Sequence, residues 1–73
     1  MPLPMEVRAN IARNLQASRN ASGFTLCQIA NGLGLDVETL AEIERGTYLP
    51  SAAELRIMCR WYRVPVECIF RAH

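Results

Sequence analysis

Apolar residues in this chain recur at every third or fourth position, and the recurrence stops where glycine, proline or a capping residue appears. That pattern favours amphipathic helices, because side chains three and four residues apart share one helical face, whereas a half-buried strand needs alternation. Val7, Ile11 and Leu15, with Ala12 beside them, form a first stripe over about Glu6 to Asn20, and Gly23 is suited to a left-handed cap after it. Thr25 with Gln28 has capping-box spacing and opens a second helix carrying Leu26, Ile29, Ala30 and Leu33. Gly32 and Gly34 weaken that helix and mark its end. Asp36 is read as the N-cap of a third helix, its carboxylate favoured by the helix dipole. Leu40 and Ile43 are its inward face, with Val37 at the edge, and it stops near Arg45-Gly46. Thr47-Tyr48-Leu49-Pro50 reads as a loop. Ser51 with Glu54 is a second capping box, opening a helix with the stripe Leu55, Met58, Cys59 and Tyr62. Pro65 suits the first turn of a short last helix, whose Val66, Ile69 and Phe70 close the core. No segment sustains period-two alternation. The expectation is an all-α, compact five-helix domain over residues 6–71, preceded by a short tail, 1–5.

Seventy-three residues support one small domain, and 51% hydrophobic against 21% charged residues is a globular composition. The net charge of +1, from eight basic and seven acidic residues, excludes a polybasic tail or a histone-like wrapper. All the basic residues are arginine, the better residue for bidentate recognition. The average hides a pattern. Residues 1–30 are net +2 (Arg8, Arg13 and Arg19 against Glu6), and residues 36–46 are net −3 (Asp36, Glu38, Glu42 and Glu44 against Arg45). Residues 47–73 are again net +2, with four arginines against Glu54 and Glu67. No apolar run is long enough for a membrane span. Met1 to Met5 lack the basic-then-apolar order of a secretory signal. Three cysteines, Cys27, Cys59 and Cys68, are an odd number, which favours free thiols and a cytoplasmic protein.

The informative unit is residues 25–45, two short helices joined by a tight turn through Gly34. This is a helix-turn-helix pattern, in which a small residue at Gly34 and a small Ala30 let the helices cross closely. The second helix can then enter a major groove with its first residues at base edges. Generic helical hairpins share much of this pattern.

The residues carry a closer likeness. Leu15-x-x-x-Arg19, Gly23-x-Thr25-Leu26-x-x-Ile29-Ala30-x-x-Leu33-Gly34-Leu35 and Leu40-x-x-Ile43-Glu44-Arg45-Gly46-x-x-x-Pro50-Ser51 resemble the Cro/CI-type (XRE) helix-turn-helix family. Met58-Cys59-x-x-Tyr62-x-Val64-Pro65-Val66-x-x-Ile69-Phe70 follows its C-terminal pattern, so the resemblance covers about Val7 to Phe70. It implies a lambda-repressor-like fold in a bacterial or phage-encoded protein that binds double-stranded operator DNA. It also implies that Arg19 and Glu44 form a structural pair tying the first helix to the end of the recognition helix. Val37, Glu38, Thr39 and Glu42 then face bases. Thr25 and Gln28 at the start of the preceding helix, and Arg45, Thr47 and Tyr48 in the following loop, meet the DNA backbone. Three departures stand out. Leu26 replaces a phosphate-binding glutamine. Val37, Glu38 and Glu42 stand where amides or basic residues are common, although a glutamate can accept from cytosine N4. Arg63 stands where glycine commonly ends the fourth helix, so a distorted end is expected there.

Other residues have plain readings. Cys59 lies on a core stripe, and Cys27 and Cys68 on outward faces. Without paired C-x-x-C spacing, Cys59, Cys68 and the terminal, frayed His73 do not make a zinc site. No nucleophile–base arrangement in a rigid shell is evident, so neither a cofactor nor an enzymatic activity is expected. Arg8, Arg13 and Arg56 read as solubilising charges. Leu26, Leu49 and Trp61 are apolar where partial exposure is expected. Two functional expectations follow. The first is a repressor-like, sequence-specific regulator acting as a homodimer, with dimer contacts at Trp61, Val64, Val66, Ile69 and Phe70, the last two having full burial in the core as the alternative. The second keeps the fold but binds another regulator, as an anti-activator or antirepressor, through the acidic third helix with Leu26 and Trp61.

Overall fold

Five helices follow one another in the computed structural model, which describes residues 4–71: α1 (Met5–Ser22), α2 (Leu26–Leu33), α3 (Val37–Arg45), α4 (Ala52–Tyr62) and α5 (Val66–Ile69). Residues 1–3 of the expected tail, and His73, lie outside the described residues. The first stripe predicts α1 shorter than it is. The helix begins at Met5 and continues to Ser22, so the last residue read as tail is helical. Both capping boxes form: the Thr25 and Ser51 hydroxyls accept from the Gln28 and Glu54 amides, and the Gln28 and Glu54 side chains accept in return. These bonds satisfy amide donors that a helix start otherwise leaves unpaired. Asp36 occupies the N-cap position of α3, but its carboxylate makes no capping hydrogen bond. Pro65 is the N-cap of α5 rather than its first helical residue.

The helix ends correct two expectations. Gly34 is required by backbone conformation and not by crowding: its φ is 72°, and a Cβ there would meet nothing within 4 Å. The left-handed region at that φ is costly for a residue with a Cβ, so glycine is the natural terminator. Arg63 takes the same kind of cap, with φ 57° and ψ 44°, and its N–H is bonded back to the end of α4. The arginine therefore adopts the conformation glycine would use, and α4 ends in order.

The helices enclose one core. Leu15, Ile29, Leu40, Ile43, Met58 and Ile69 are wholly buried, with Ala30 and Cys59 between them. Each such aliphatic side chain contributes about 1.5–3 kcal/mol relative to remaining in water. Burial also pushes the Cys59 thiol above its ordinary pKa, so it stays protonated. Phe70 departs from expectation. It lies outside the core at 47% exposure, whereas Ile69 is entirely inside. In the α5 turn Ile69 takes the fully buried position, and Val66 packs partly against the core. Asn14 of α1 fixes that turn, its Nδ2 donating to the carbonyls of Ile69 (2.6 Å) and Arg71 (2.8 Å).

Candidate nucleic-acid interface

The third helix is positioned from behind by apolar contacts and from its end by an ion pair. Leu40 and Ile43 anchor it in the core, and α3 packs on both α1 and α2. Arg19 of α1 grips Glu44 in two-pronged fashion, Nε to Oε2 at 2.6 Å and Nη2 to Oε1 at 3.1 Å. Its third nitrogen donates to the Phe24 carbonyl at 2.8 Å. One guanidinium thus ties together α1, the α1–α2 turn and the end of α3. The hydrogen bond to Glu44 raises the Arg19 pKa, against an opposing effect of burial. The side chains are 12% and 5% exposed, so desolvation offsets much of their attraction, but losing either would strand a buried charge. These are the two positions at which the family resemblance implies a structural pair.

The face of α3 turned from the core carries Glu38, Glu42 and Arg45, at intervals of four and three residues. Val37 and Glu38 are exposed, and Thr39 and Glu42 are half-buried. All four residues expected to face bases therefore keep surface, Val37 and Glu38 the most. Arg45 is the last helical residue rather than part of the loop, so the outer stripe ends on a positive charge.

The residues expected at the DNA backbone divide. At the start of α2, the Gln28 side-chain oxygen is occupied by the Thr25 amide at 2.8 Å. Its amide nitrogen remains a donor toward a phosphate, and so does the Thr25 hydroxyl hydrogen. Tyr48 is exposed after α3. Thr47 differs: its hydroxyl donates to the Glu42 carbonyl at 3.2 Å, where the Thr47 and Tyr48 amides also converge. That bond helps to close the helix end, while Thr47 itself is exposed. Leu26, where the family carries a phosphate-binding amide, is half-buried against the core.

Tertiary packing adds a residue that reads from sequence only as a solubilising charge. The Arg8 carbonyl lies 3.8 Å from where a Cβ on Gly46 would stand, and the Ala12 methyl 3.6 Å from it. The first turns of α1 therefore abut the end of α3, with the backbone of Arg8 close to Gly46. Glycine at position 46 has φ 84°. No local signal links positions 8 and 46. Among the described residues, no three His, Cys, Asp or Glu side chains group as metal ligands, and no helix is long and apolar enough to cross a membrane.

The expected partner surface is also divided. Ile69 is wholly buried and has no surface to offer a second copy, which removes it from the expected dimer contacts. Val64 and Val66 are partly buried against the core, and Phe70 and Trp61 are exposed. Trp61 and Phe70 have different neighbours. Trp61 packs edge-to-face on Phe24, with ring centroids 5.4 Å apart, and lies over Gly32 of α2. Phe70 ends α5, which packs on α1 and α4 and does not touch α2.

Known proteins are similar to this chain in sequence or in fold. A family model described as a helix-turn-helix domain matches residues 10–68. A curated protein of Bacillus subtilis (strain 168), an uncharacterized HTH-type transcriptional regulator called YazB, is 49% identical over 41 residues. That match takes in 56% of this chain and 59% of the relative's length. The crystal structure of a hypothetical transcription factor, NHTF, from Neisseria superposes with a TM-score of 0.80 at 22% identity, over 99% of this chain and 85% of that one. The fold, the Arg19–Glu44 tie and the match over residues 10–68 agree, and the chain belongs to the helix-turn-helix domain family.

Proposed function

We propose that this chain is a DNA-binding transcriptional regulator of XRE type that reads the major groove with α3. The observation that carries the proposal is the clamped α3, which leaves Val37, Glu38, Thr39 and Glu42 with surface and ends on the exposed Arg45. A helix held this rigidly can present side chains to base edges without a large ordering cost. On this reading Glu38 accepts from cytosine N4, and Thr25, Gln28, Arg45 and Tyr48 meet phosphates. The description of YazB as an HTH-type transcriptional regulator supports the same reading. A repressor-like homodimer in the cytoplasm is the form we propose. Its contacts lie around Phe70, with Val64 and Val66 beside it, and its half-sites are about one helical turn apart.

Selection of bound sequences from a random duplex pool, followed by salt titration, tests this. Glu38→Gln is expected to alter base preference at one position of each half-site. Arg45→Ala is expected to weaken every sequence and to lower the salt slope by about one. Phe70→Asp is expected to give a folded monomer with weakened binding. Absence of retardation by any duplex at low salt, with the protein folded, would overturn the proposal. The rival reading, in which α3 binds another regulator and no DNA, draws on Asp36, Glu38 and Glu42. It loses part of its support because Leu26 is folded against the core.

A further inference from the structure

A second surface, on α4, is left unused by a DNA-reading α3. Arg56, Ile57, Arg60 and Trp61 are exposed at helical spacing along one side of α4, with Ile57 and Trp61 at 37% and 40%. From Leu55 to Val66 the sequence holds Arg56, Arg60 and Arg63 and no acidic residue. Among the described residues, none of these three arginines is ion-paired; the pairing present is Arg19 with Glu44.

Trp61 stands as a fixed ridge in this surface. Its ring is held edge-on by Phe24 and rests where Gly32 lacks a side chain. A hollow lies on each side of it. One is lined by Ser22, Phe24, Tyr62 and Arg63, the other by Ile57 and Arg60. Each hollow thus combines an apolar wall with a guanidinium. Arg63 is moreover kept in a left-handed conformation, φ 57°, that glycine would adopt without strain. A strained residue bordering a hollow is a pointer to function.

We infer that this face docks an acidic, amphipathic segment of a partner protein. Bulky aliphatic side chains of that segment enter the hollows on either side of Trp61, and its carboxylates meet Arg56, Arg60 and Arg63. The charge selects the occupant. A two-fold contact between copies through this face would set three arginines against three arginines, which is repulsive. A DNA backbone would satisfy the arginines but leave Ile57 and Trp61 without apolar partners. An acidic segment with leucine-like side chains satisfies both, and a preformed aromatic anchor keeps the ordering cost low. Because α4 packs on α1, α2 and α5 and not on α3, the inference is independent of DNA reading by α3.

Trp61 is the single tryptophan of the chain, so its emission reports on this surface alone. The probe is a short synthetic helix of glutamate, leucine and alanine with two leucines one turn apart, titrated into the full chain. Saturable, salt-sensitive blue-shifting of the emission is expected. A lysine-for-glutamate counterpart should give none. Reversing charge in the Arg60→Glu, Arg63→Glu double variant should weaken binding at least about tenfold, as loss of two charge-assisted contacts implies. Arg63→Gly separates binding from folding: it should raise the melting temperature, by relieving strain, while weakening the peptide. No saturable response to the glutamate peptide, or an equal response to the lysine peptide, overturns the inference. So does an emission shift driven by protein concentration alone, which would assign the face to a second copy. A shift driven by duplex DNA of arbitrary sequence would assign it to phosphate and overturn the inference as well.

Discussion

Gly32→Ala should destabilise this protein, although in an ordinary helix interior the same change stabilises. Replacing glycine by alanine inside a helix gains about 1 kcal/mol from backbone entropy. Gly32 lies in the last turn of α2, where the added Cβ would stand 2.5 Å from Cζ2 of Trp61 and 3.0 Å from Cη2. The indole must swing away. That forfeits the edge-to-face pair with Phe24, worth about 0.5–1.5 kcal/mol. It also returns on the order of 50 Å² of apolar surface to water, about 1 kcal/mol at ~25 cal/mol per Å². The two losses exceed the gain, and a net destabilisation of about 1 kcal/mol results. In a Trp61→Ala background the obstacle is gone, and Gly32→Ala should stabilise by about 1 kcal/mol. The coupling between the two positions is therefore about 2 kcal/mol. Urea unfolding followed by far-ultraviolet circular dichroism measures all four corners of the cycle, since two of the proteins have no tryptophan. Emission of the Gly32→Ala protein should also shift to the red. If Gly32→Ala stabilises both backgrounds equally, Trp61 does not rest on Gly32 and the reasoning is refuted.

Arg19→Ala should cost about 3 kcal/mol in chemical denaturation, because Glu44 is left buried without its counter-charge, and Arg19→Lys should recover only part, lacking the second prong. Tyr62→Phe should stabilise by about 1 kcal/mol near neutral pH, because the phenol oxygen is buried with no hydrogen-bond partner. The same variant should flatten the alkaline fall in stability. Burial first, and Glu44 next, push the Tyr62 pKa well above its ordinary value near 10. The unfolded chain therefore ionises first. Stability from the neutral phenol is complete below about pH 10 and declines as pH rises past it, with Cys59 contributing from slightly lower pH. Asn14→Ala should cost about 1–2 kcal/mol and raise amide exchange in α5, since two bonds from its side chain hold that turn.

Much of the candidate interface is legible in the amino-acid sequence. Both capping boxes, the left-handed position at Gly23 and the extent of α3 depend on residues at most four positions apart, and local spacing states them directly. The Arg19–Glu44 tie joins positions 25 apart and is legible only through family resemblance. Other features are not legible. The bond from the Thr47 hydroxyl to the Glu42 carbonyl has no local signal, and Gly34 looks crowded until its surroundings prove open.

The sequence by itself determined that this chain is five helices, most of the caps that bound them, and that two of them form a helix-turn-helix unit. Those properties follow from side-chain periodicity and capping, which act within a turn or two. Only the tertiary structure decided that Ile69 enters the core while Phe70 stays outside, and that Arg8 lies beside the end of α3. It alone turned Gly32 from a helix weakener into the seat of Trp61, and left an arginine-rimmed aromatic ridge on α4. The reason is that covering one apolar edge rather than another depends on how helices far apart in the chain cross. Both candidate edges satisfy the same local period, and the choice between them is made only when the helices pack.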